Sequence, residues 1–169
     1  LISALLKEKW GFETVSVHFS ENTTSIDIDQ RNLKWKRLEE MEEYINARIF
    51  TNLAVSSKWY EQEQEIAKLP LRKELKKKSD KGIRIVSIEN LDNSPCGGTH
   101  LKELAEIGIL KFLNSTNISE GSRLEYVCGW RALNKFQMMT KELEKTAHLV
   151  NCQFSEVFEN VKRIHGELE

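Results

Sequence analysis

Apolar side chains recur at helical spacing in two segments near the start of the chain. In residues 1–10 four apolar side chains share one face, and Gly11 follows as a typical helix end. From residue 32 to about residue 50 apolar positions recur every three or four residues, with glutamates on the opposite face. These patterns predict two amphipathic helices. Their apolar positions are Leu1, Ile2, Leu5 and Leu6, then Leu33, Leu38, Met41, Ile45 and Ile49.

Several shorter segments alternate between apolar and polar side chains. Phe12–Phe19 and Thr24–Ile28 flank the turn-forming pair Glu21-Asn22, so we predict a β-hairpin there. Further strands are predicted at residues 54–58, 83–88, 107–112 and 124–127, short helices at 59–69 and 71–78 around Pro70, and a loop at 90–99. The sequence thus predicts an α+β fold in which helices cover a mostly antiparallel sheet.

The last third of the chain has a different pattern. From Leu143 to Leu168 apolar residues repeat at alternating spacings of four and three, which is typical of a heptad repeat. We therefore predict a globular domain at residues 1–130 and a C-terminal helical arm or linker at 131–169. The arm could contact a second copy of the chain, as a homodimer, or another domain. A surface helical hairpin, broken near Asn151 with Ser155 as a new N-cap, fits the pattern equally well.

Composition limits the class of protein. Hydrophobic residues make up 40% and charged residues 30% of the 169 residues, which is typical of globular proteins. No apolar run approaches the roughly 20 residues of a membrane span, and no secretory leader is visible. Cys96, Cys128 and Cys152 are an odd number at uneven spacing, so we expect a reducing, cytoplasmic setting without a disulfide framework. Leu1 opens directly into a helical pattern, and we expect the chain to continue upstream.

Charge is unevenly distributed. The formal net charge is −1, which by itself is weak evidence for nucleic-acid binding. The segment Leu71–Arg84, however, holds seven basic and two acidic residues. It is either a solvated helix face or a patch that contacts RNA phosphates. The candidate RNA-binding residues are Lys73, Lys76, Lys77 and Lys78.

The segment Ser94-Pro95-Cys96-Gly97-Gly98-Thr99-His100 is the strongest candidate for chemistry. A thiolate and an imidazole four residues apart suit one Zn²⁺, which prefers sulfur and nitrogen ligands in tetrahedral geometry. The two glycines allow a tight fold between the ligands and a close approach of a substrate. The alternative is a buried thiol next to an unrelated histidine. Of the other histidines, His148 and His165 lie near or in the arm, and only His18 is a candidate third ligand.

Three segments together resemble a known family. They are Pro95–His100, Glu106-Ile107-Gly108 and Gly121–Gly129, and they are similar to the second half of the alanyl-tRNA synthetase editing domain, above all its free-standing AlaX-type form. The resemblance covers about residues 1–147. In that family a Cys-x-x-x-His and a His-x-x-x-His on the first helix bind zinc. It therefore implies Zn²⁺ held by Cys96 and His100, a histidine pair just before Leu1, and a helical linker toward a C-terminal domain beyond Glu169.

The resemblance also implies an activity: zinc-dependent hydrolysis of the ester that joins serine or glycine to tRNA(Ala). A pocket for alanine cannot firmly exclude these amino acids, so a second, hydrolytic site is needed. The candidate catalytic residues are Gly97, Gly98 and Thr99, and the candidate substrate-binding residues are His18, Thr24, Ser25 and Arg123. Arg123 could contact RNA or brace the site through Glu125, and a structural ion pair is the favoured interpretation.

Three other functions remain compatible with the sequence. A module that keeps the fold without the metal would bind tRNA but not hydrolyse it. The editing domain of threonyl-tRNA synthetase shares the architecture, although the heptad pattern and the Cys-Gly-Gly-Thr-His context favour the alanyl type. A purely structural zinc module would unfold on chelation and show no deacylase activity.

Overall fold

The computed structural model describes residues 1–72 and 82–168 and divides the chain into two compact units, residues 1–129 and a second that begins at Trp130. The first unit contains helices α1 (Ile2–Trp10), α2 (Trp35–Phe50) and α3 (Glu63–Ile66), and strands β1 (Thr14–Phe19), β2 (Thr24–Ile28), β3 (Val55–Tyr60), β4 (Ile83–Ile88), β5 (Asp92–Pro95), β6 (Leu110–Ile118) and β7 (Gly121–Cys128). The second contains α4 (Trp130–Leu149) and α5 (Val157–Leu168). Single 3₁₀ turns lie at Leu104–Ile107 and Phe154–Glu156.

The predicted α+β fold with antiparallel pairing is confirmed. One sheet has the strand order β1-β2-β7-β6 and the other the order β3-β4-β5, and every pair of neighbours is antiparallel. The first two strands form the predicted hairpin, with Val17 opposite Ile26 and Phe19 opposite Thr24. The segment with the Cys-x-x-x-His pattern begins directly after β5, so the smaller sheet positions it.

The main core lies between the four-stranded sheet and the helices α1 and α2. Its buried side chains come from the predicted helical and strand faces, because each element turns one apolar face inward. They are Leu5, Leu6, Ile26, Ile28, Leu38, Met41, Ile45, Ile49, Leu110, Phe112 and Leu124.

Side chains of α2 form hydrogen bonds with the backbone of β6, the edge strand of the four-stranded sheet. Asn46 donates to the carbonyl of Leu110 (2.9 Å) and accepts from its N–H (2.8 Å). Glu42 accepts from the N–H of Phe112 and from Lys111 Nζ, both at 2.8 Å. These bonds replace the missing neighbour strand of β6 and fix the register between α2 and the sheet.

The helix predicted at residues 59–69 and the loop predicted at residues 90–99 are both wrong. Trp59 and Tyr60 extend β3 instead of starting a helix at residue 59, and only Glu63–Ile66 is helical before Pro70. The predicted loop contains the strand β5, which pairs with β4. The predicted helix at 71–78 falls almost entirely outside the described residues.

The second unit consists of two helices with a break between them. Helix α4 ends at Leu149, and Asn151 has a left-handed backbone (φ 53°), so the repeat is not one continuous helix. The new N-cap is Gln153, which forms a capping box with Glu156; Ser155 is not the cap. Large apolar side chains of this unit are exposed, among them Leu149 and Phe158. None of the helices in the described ranges is long and apolar enough to cross a membrane.

Candidate active site

A cavity of about 390 Å³ lies beside the smaller sheet, and the Cys-x-x-x-His segment forms part of its wall. Cys96, Thr99 and His100 all line it. The structure thus brings the candidate thiol, hydroxyl and imidazole to one concave surface. The other lining residues are Leu1, Val55, Arg72, Val86, Ile88, Asp92, Ser94, Pro95, Leu101, Glu103, Leu104 and Ile107. A largely apolar wall with a few converging polar groups is typical of a small-molecule site.

Arg84 of β4 holds the loop that follows β5. Its guanidinium donates to the carbonyls of Cys96 (3.1 Å) and Gly98 and to Ser57 Oγ (3.1 Å). The backbone N–H of Cys96 in turn donates to the carbonyl of Arg84 (3.1 Å). One charged side chain therefore fixes the loop on both sides of Gly97, because hydrogen bonds from an ionised donor are strong and the planar fork is rigid.

A second arginine braces the entry to this loop. Arg72 Nε donates to Asp92 Oδ1 and Arg72 Nη2 donates to Ser94 Oγ, each at 2.9 Å. Ser94 Oγ also donates to the other oxygen of Asp92 (2.9 Å), which closes a three-residue network. Asp92 is buried, so its charge needs these partners. The network fixes β5 and lines the cavity next to Cys96.

Hydrogen bonds also hold the segment that follows His100. Glu106 accepts from the N–H groups of Lys102 (2.9 Å) and Glu103 (3.0 Å). Asn52 bridges to the Glu103 carboxylate and to the N–H of Ala105, both at 2.9 Å. The imidazole thus projects from a loop that is held at both ends.

The electrostatics around His100 favour its neutral form. Partial burial lowers the pKa of His100, and the Arg84 guanidinium acts in the same direction. A neutral imidazole is the form that ligates metal ions.

The donor set next to the cavity meets half of the requirement for zinc. Cys96 and His100 supply sulfur and nitrogen, the atoms that Zn²⁺ prefers. In the described ranges, however, no group of three or more His, Cys, Asp or Glu side chains could hold a metal ion. His18 does not line the cavity. The described residues therefore offer two of the four ligands that a tetrahedral zinc site would need.

Gly97 and Gly98 are exposed and do not line the cavity. A methyl group at Gly97 would meet nothing within 4 Å, and one at Gly98 would meet only Cys96 Sγ at 3.7 Å. Neither glycine is in the left-handed region. The tight fold between Cys96 and His100 thus does not require glycine, and the open space above the loop is compatible with the close approach of a ligand.

His18 and Arg123 meet on the face of the four-stranded sheet opposite the core, where both bond to Asp27. Arg123 donates from Nε to Oδ1 (2.7 Å) and from Nη2 to Oδ2 (2.8 Å). His18 Nε2 lies 3.0 Å from Oδ2, and Ser16 Oγ donates to the same oxygen at 2.6 Å. These bonds hold the pKa of Asp27 well below its usual range, the bond from Arg123 acting most strongly. The favoured ion pair of Arg123 is present, but its partner is Asp27 and not Glu125.

The remaining candidates lie apart from the cavity. Thr24 is buried on the core side of β2, and Ser25 faces the opposite side of the same strand. Neither lines the cavity. Lys73, Lys76, Lys77 and Lys78 fall outside the described residues.

Arg72, Arg84 and Asp92 are the site residues that the sequence did not reveal. Both arginines belong to the basic segment at residues 71–84, for which the sequence predicts either a solvated helix face or a patch that contacts RNA phosphates. The signal that could have identified them is position: Arg84 lies within the strand that precedes the Cys-x-x-x-His loop. Arg84 is half-buried, and the loop carbonyls of Cys96 and Gly98 accept the hydrogen bonds of its guanidinium.

Comparison with known proteins shows which proteins the chain is similar to. Residues 83–124, from β4 into β7, match the family described as threonyl and alanyl tRNA synthetase second additional domain. The chain is also 33% identical over 143 residues to the alanyl-tRNA editing protein AlaX-L of Pyrococcus horikoshii, an alignment covering 84% of the chain and 35% of that protein. Over most of its length the chain is thus similar to an alanyl-tRNA editing protein of the AlaX type.

Alanine–tRNA ligases match the chain over long stretches as well. The ligase of Buchnera aphidicola subsp. Schizaphis graminum is 25% identical over 181 residues, covering the whole chain and 20% of the ligase. That of Solibacter usitatus is 30% identical over 128 residues, covering 75% of the chain and 14% of the ligase. The chain thus spans about a third or less of the length of these relatives.

Proposed function

We propose that this domain hydrolyses the ester bond of mischarged tRNA(Ala), removing serine or glycine. The observation that carries the proposal is the convergence of Cys96, Thr99 and His100 on one cavity within the family-matched segment. The name of the Pyrococcus horikoshii relative, an alanyl-tRNA editing protein, supports the same substrate class. We place the activity in the cytoplasm, where tRNA is charged.

We propose that the site binds Zn²⁺ through Cys96 Sγ and a ring nitrogen of His100. The remaining ligands would be the histidine pair that the family resemblance puts just before Leu1. Leu1 lines the cavity, so a ligand preceding it in the chain would lie close to Cys96 and His100. When bound, zinc supplies a Lewis acid for the carbonyl or a water of pKa about 7.

The residues of this chain have separate proposed tasks. Arg84 keeps the loop in place, so that backbone N–H groups near Gly97 and Gly98 can face the oxygen on which charge develops. Thr99 offers a hydroxyl to the side chain of a bound serine. The apolar residues Val86, Ile88 and Leu104 limit the space and exclude water.

Deacylation of purified Ser-, Gly- and Ala-tRNA(Ala) by the full-length protein tests the proposal. We expect rapid loss of serine or glycine, sparing of alanine, and a loss of more than roughly 100-fold in rate for Cys96→Ala. Cys152→Ala is the matched control, because this thiol lies in the second unit. Zinc content should fall in the first variant and stay unchanged in the second.

Bound zinc without turnover on any of the three substrates would contradict the enzymatic proposal. A structural zinc module would then be favoured if chelation also unfolds the protein. Binding of tRNA with neither zinc nor turnover would instead favour the non-catalytic RNA-binding function.

Self-association through the second unit is a separate proposal. It is supported by the exposed apolar side chains of α4 and α5, including Trp130, Leu149 and Phe158. Light scattering of the protein and of a Phe158→Lys variant tests it. A mass of one chain for the wild-type protein at micromolar concentration would contradict it.

A further inference from the structure

A second concave surface lies on the first unit, away from the residues that line the candidate active site. It is a groove of about 500 Å³ between the end of α1, the segment at residues 30–34 and the first turn of α2. We name it the α2 groove. Its lining residues are Trp10, Phe12, Gln30, Arg31, Asn32, Leu33, Lys34, Lys36, Arg37 and Glu40, none of which lines the cavity beside Cys96.

The α2 groove is strongly positive although the chain as a whole is not. Four basic side chains and one acidic side chain line it, whereas the formal net charge of the chain is −1. The first turn of α2 carries no acidic residue. A local concentration of positive charge in a concave wall attracts polyanions more strongly than scattered charge does.

Two of the four cations already have partners in the fold. Arg31 donates to the backbone carbonyls of Ile118 and Ser119, and Arg37 pairs with Glu40 at 2.8 Å. The side chains of Lys34 and Lys36 are exposed, and in the part of the chain that the structure describes their ammonium groups have no hydrogen-bond or ion-pair partner. These two ammonium groups are therefore available to an external anion.

Aromatic rings accompany the charges. Trp10 and Phe12 are stacked in the wall, with ring centroids 6.3 Å apart and an interplanar angle of 20°. Trp35, between the two lysines, is 51% exposed. Exposed aromatic surface beside cations suits nucleic acid, which offers phosphates and stacking bases together, better than it suits an acidic peptide.

We propose that the α2 groove binds the sugar–phosphate backbone of tRNA, with Lys34 and Lys36 as phosphate ligands. This inference rests on the proposed function for the identity of the RNA. It places RNA contacts on α2 in addition to those predicted for Lys73, Lys76, Lys77 and Lys78.

Binding of uncharged tRNA(Ala) to the full-length protein tests the inference without relying on hydrolysis. Fluorescence anisotropy at several salt concentrations compares the wild-type protein with the double variant Lys34→Ala, Lys36→Ala. We expect roughly tenfold or greater loss of affinity near 0.1 M salt. The slope of log K against log salt should fall by about one for each lost phosphate contact. The matched control Lys141→Ala, Lys162→Ala removes the same charge from exposed positions of α4 and α5.

An unchanged affinity and salt slope in the Lys34/Lys36 variant, with a wild-type melting temperature, would overturn the inference. An equal loss in the control variant would overturn it too, because the effect would then be general electrostatics. Cys96→Ala separates this inference from the proposed function: it should abolish deacylation while leaving binding of uncharged tRNA intact. If the wild-type protein does not deacylate any substrate but the Lys34/Lys36 variant loses tRNA binding, RNA binding by the α2 groove is supported and the proposed hydrolase activity is contradicted.

Discussion

Arg84 and Cys96 form a reciprocal pair across the β4–β5 hairpin. The guanidinium of Arg84 donates to the Cys96 carbonyl (3.1 Å), and the Cys96 N–H donates to the Arg84 carbonyl (3.1 Å). The second bond is a regular continuation of the strand ladder, whereas the first uses a side chain to hold the loop beyond the strand. The candidate metal ligand is thus positioned by a residue twelve positions earlier in the chain.

Replacement of Arg84 by lysine should uncouple the loop from the sheet. A lysine keeps the charge but cannot bridge the carbonyls of Cys96 and Gly98 and the hydroxyl of Ser57 at once. We expect kcat/KM for deacylation to fall roughly 100-fold, since a displacement of about 1 Å in a site can have that effect. Zinc affinity should weaken as well, and stability should change by no more than about 2 kcal/mol. The exposed Arg131→Lys is the control; wild-type kinetics for Arg84→Lys would refute a positioning role.

Replacement by alanine is expected to lower the stability of the protein strongly at Gly121 and hardly at all at Gly97. At Gly121, where φ is +154°, a Cβ would lie 1.8 Å from the Ile28 carbonyl oxygen, so Gly121→Ala should destabilise the protein by roughly 3 kcal/mol or more. At Gly97 a Cβ has no neighbour within 4 Å, so Gly97→Ala should change stability by no more than about 0.5 kcal/mol. Urea denaturation measures both.

Gly97→Ala is also a test of function, because it leaves the fold intact. If a substrate approaches the loop closely, this variant should lose deacylase activity at unchanged stability. Full activity would show that the loop backbone at Gly97 is not part of the substrate contact.

The main sheet and its helices could be predicted because their apolar patterns are local. Ile26 and Ile28 lie two residues apart on one face of β2, and Met41 and Ile45 lie four residues apart on one face of α2. The buried face of each element can therefore be predicted from its own residues. The strand β5 could not be predicted from its residues. Asp92-Asn93-Ser94-Pro95 has the composition of a turn, and it becomes a strand only because β4 provides a ladder and Arg72 neutralises Asp92.

Because the strand β5 was not predicted, the roles of Arg72 and Arg84 in the candidate site were not predicted either. Cys96 and His100 are four residues apart, so their proximity is visible in the sequence itself. The pairs Arg72–Asp92 and Arg84–Cys96 are separated by 20 and 12 residues and meet only across the β4–β5 hairpin. Without β5, both arginines could be interpreted only as part of a basic segment.

Asp27 makes stability depend on pH in the acid range. The pKa of Asp27 is lowered in the folded state, chiefly by the hydrogen bond from Arg123. The ionised carboxylate therefore stabilises the fold above the unfolded pKa of about 3.9, and this stabilisation is lost as the pH falls below that value. Asp27→Asn should lower stability by about 1–3 kcal/mol at pH 7. The difference from the wild-type protein should stay constant down to about pH 5 and shrink below pH 4. Thermal melting from pH 7 to pH 3 measures it, with the exposed Glu120→Gln as control, and a difference independent of pH would contradict the assignment.

Of the candidate hydroxyls Thr24, Ser25 and Thr99, only Thr99 lines the cavity, so we propose that it distinguishes serine from alanine. Thr99→Val preserves the shape of the side chain and removes only its hydrogen-bonding capacity. If the hydroxyl recognises serine, kcat/KM for Ser-tRNA(Ala) should fall roughly 10- to 100-fold, while the slow reaction of Ala-tRNA(Ala) should not change. Thr116→Val, at an exposed position of β6, is the matched control. An equal loss on both substrates would instead place Thr99 in the positioning of the ester, because a group that acts on the shared part of the substrate cannot change the ratio between the two.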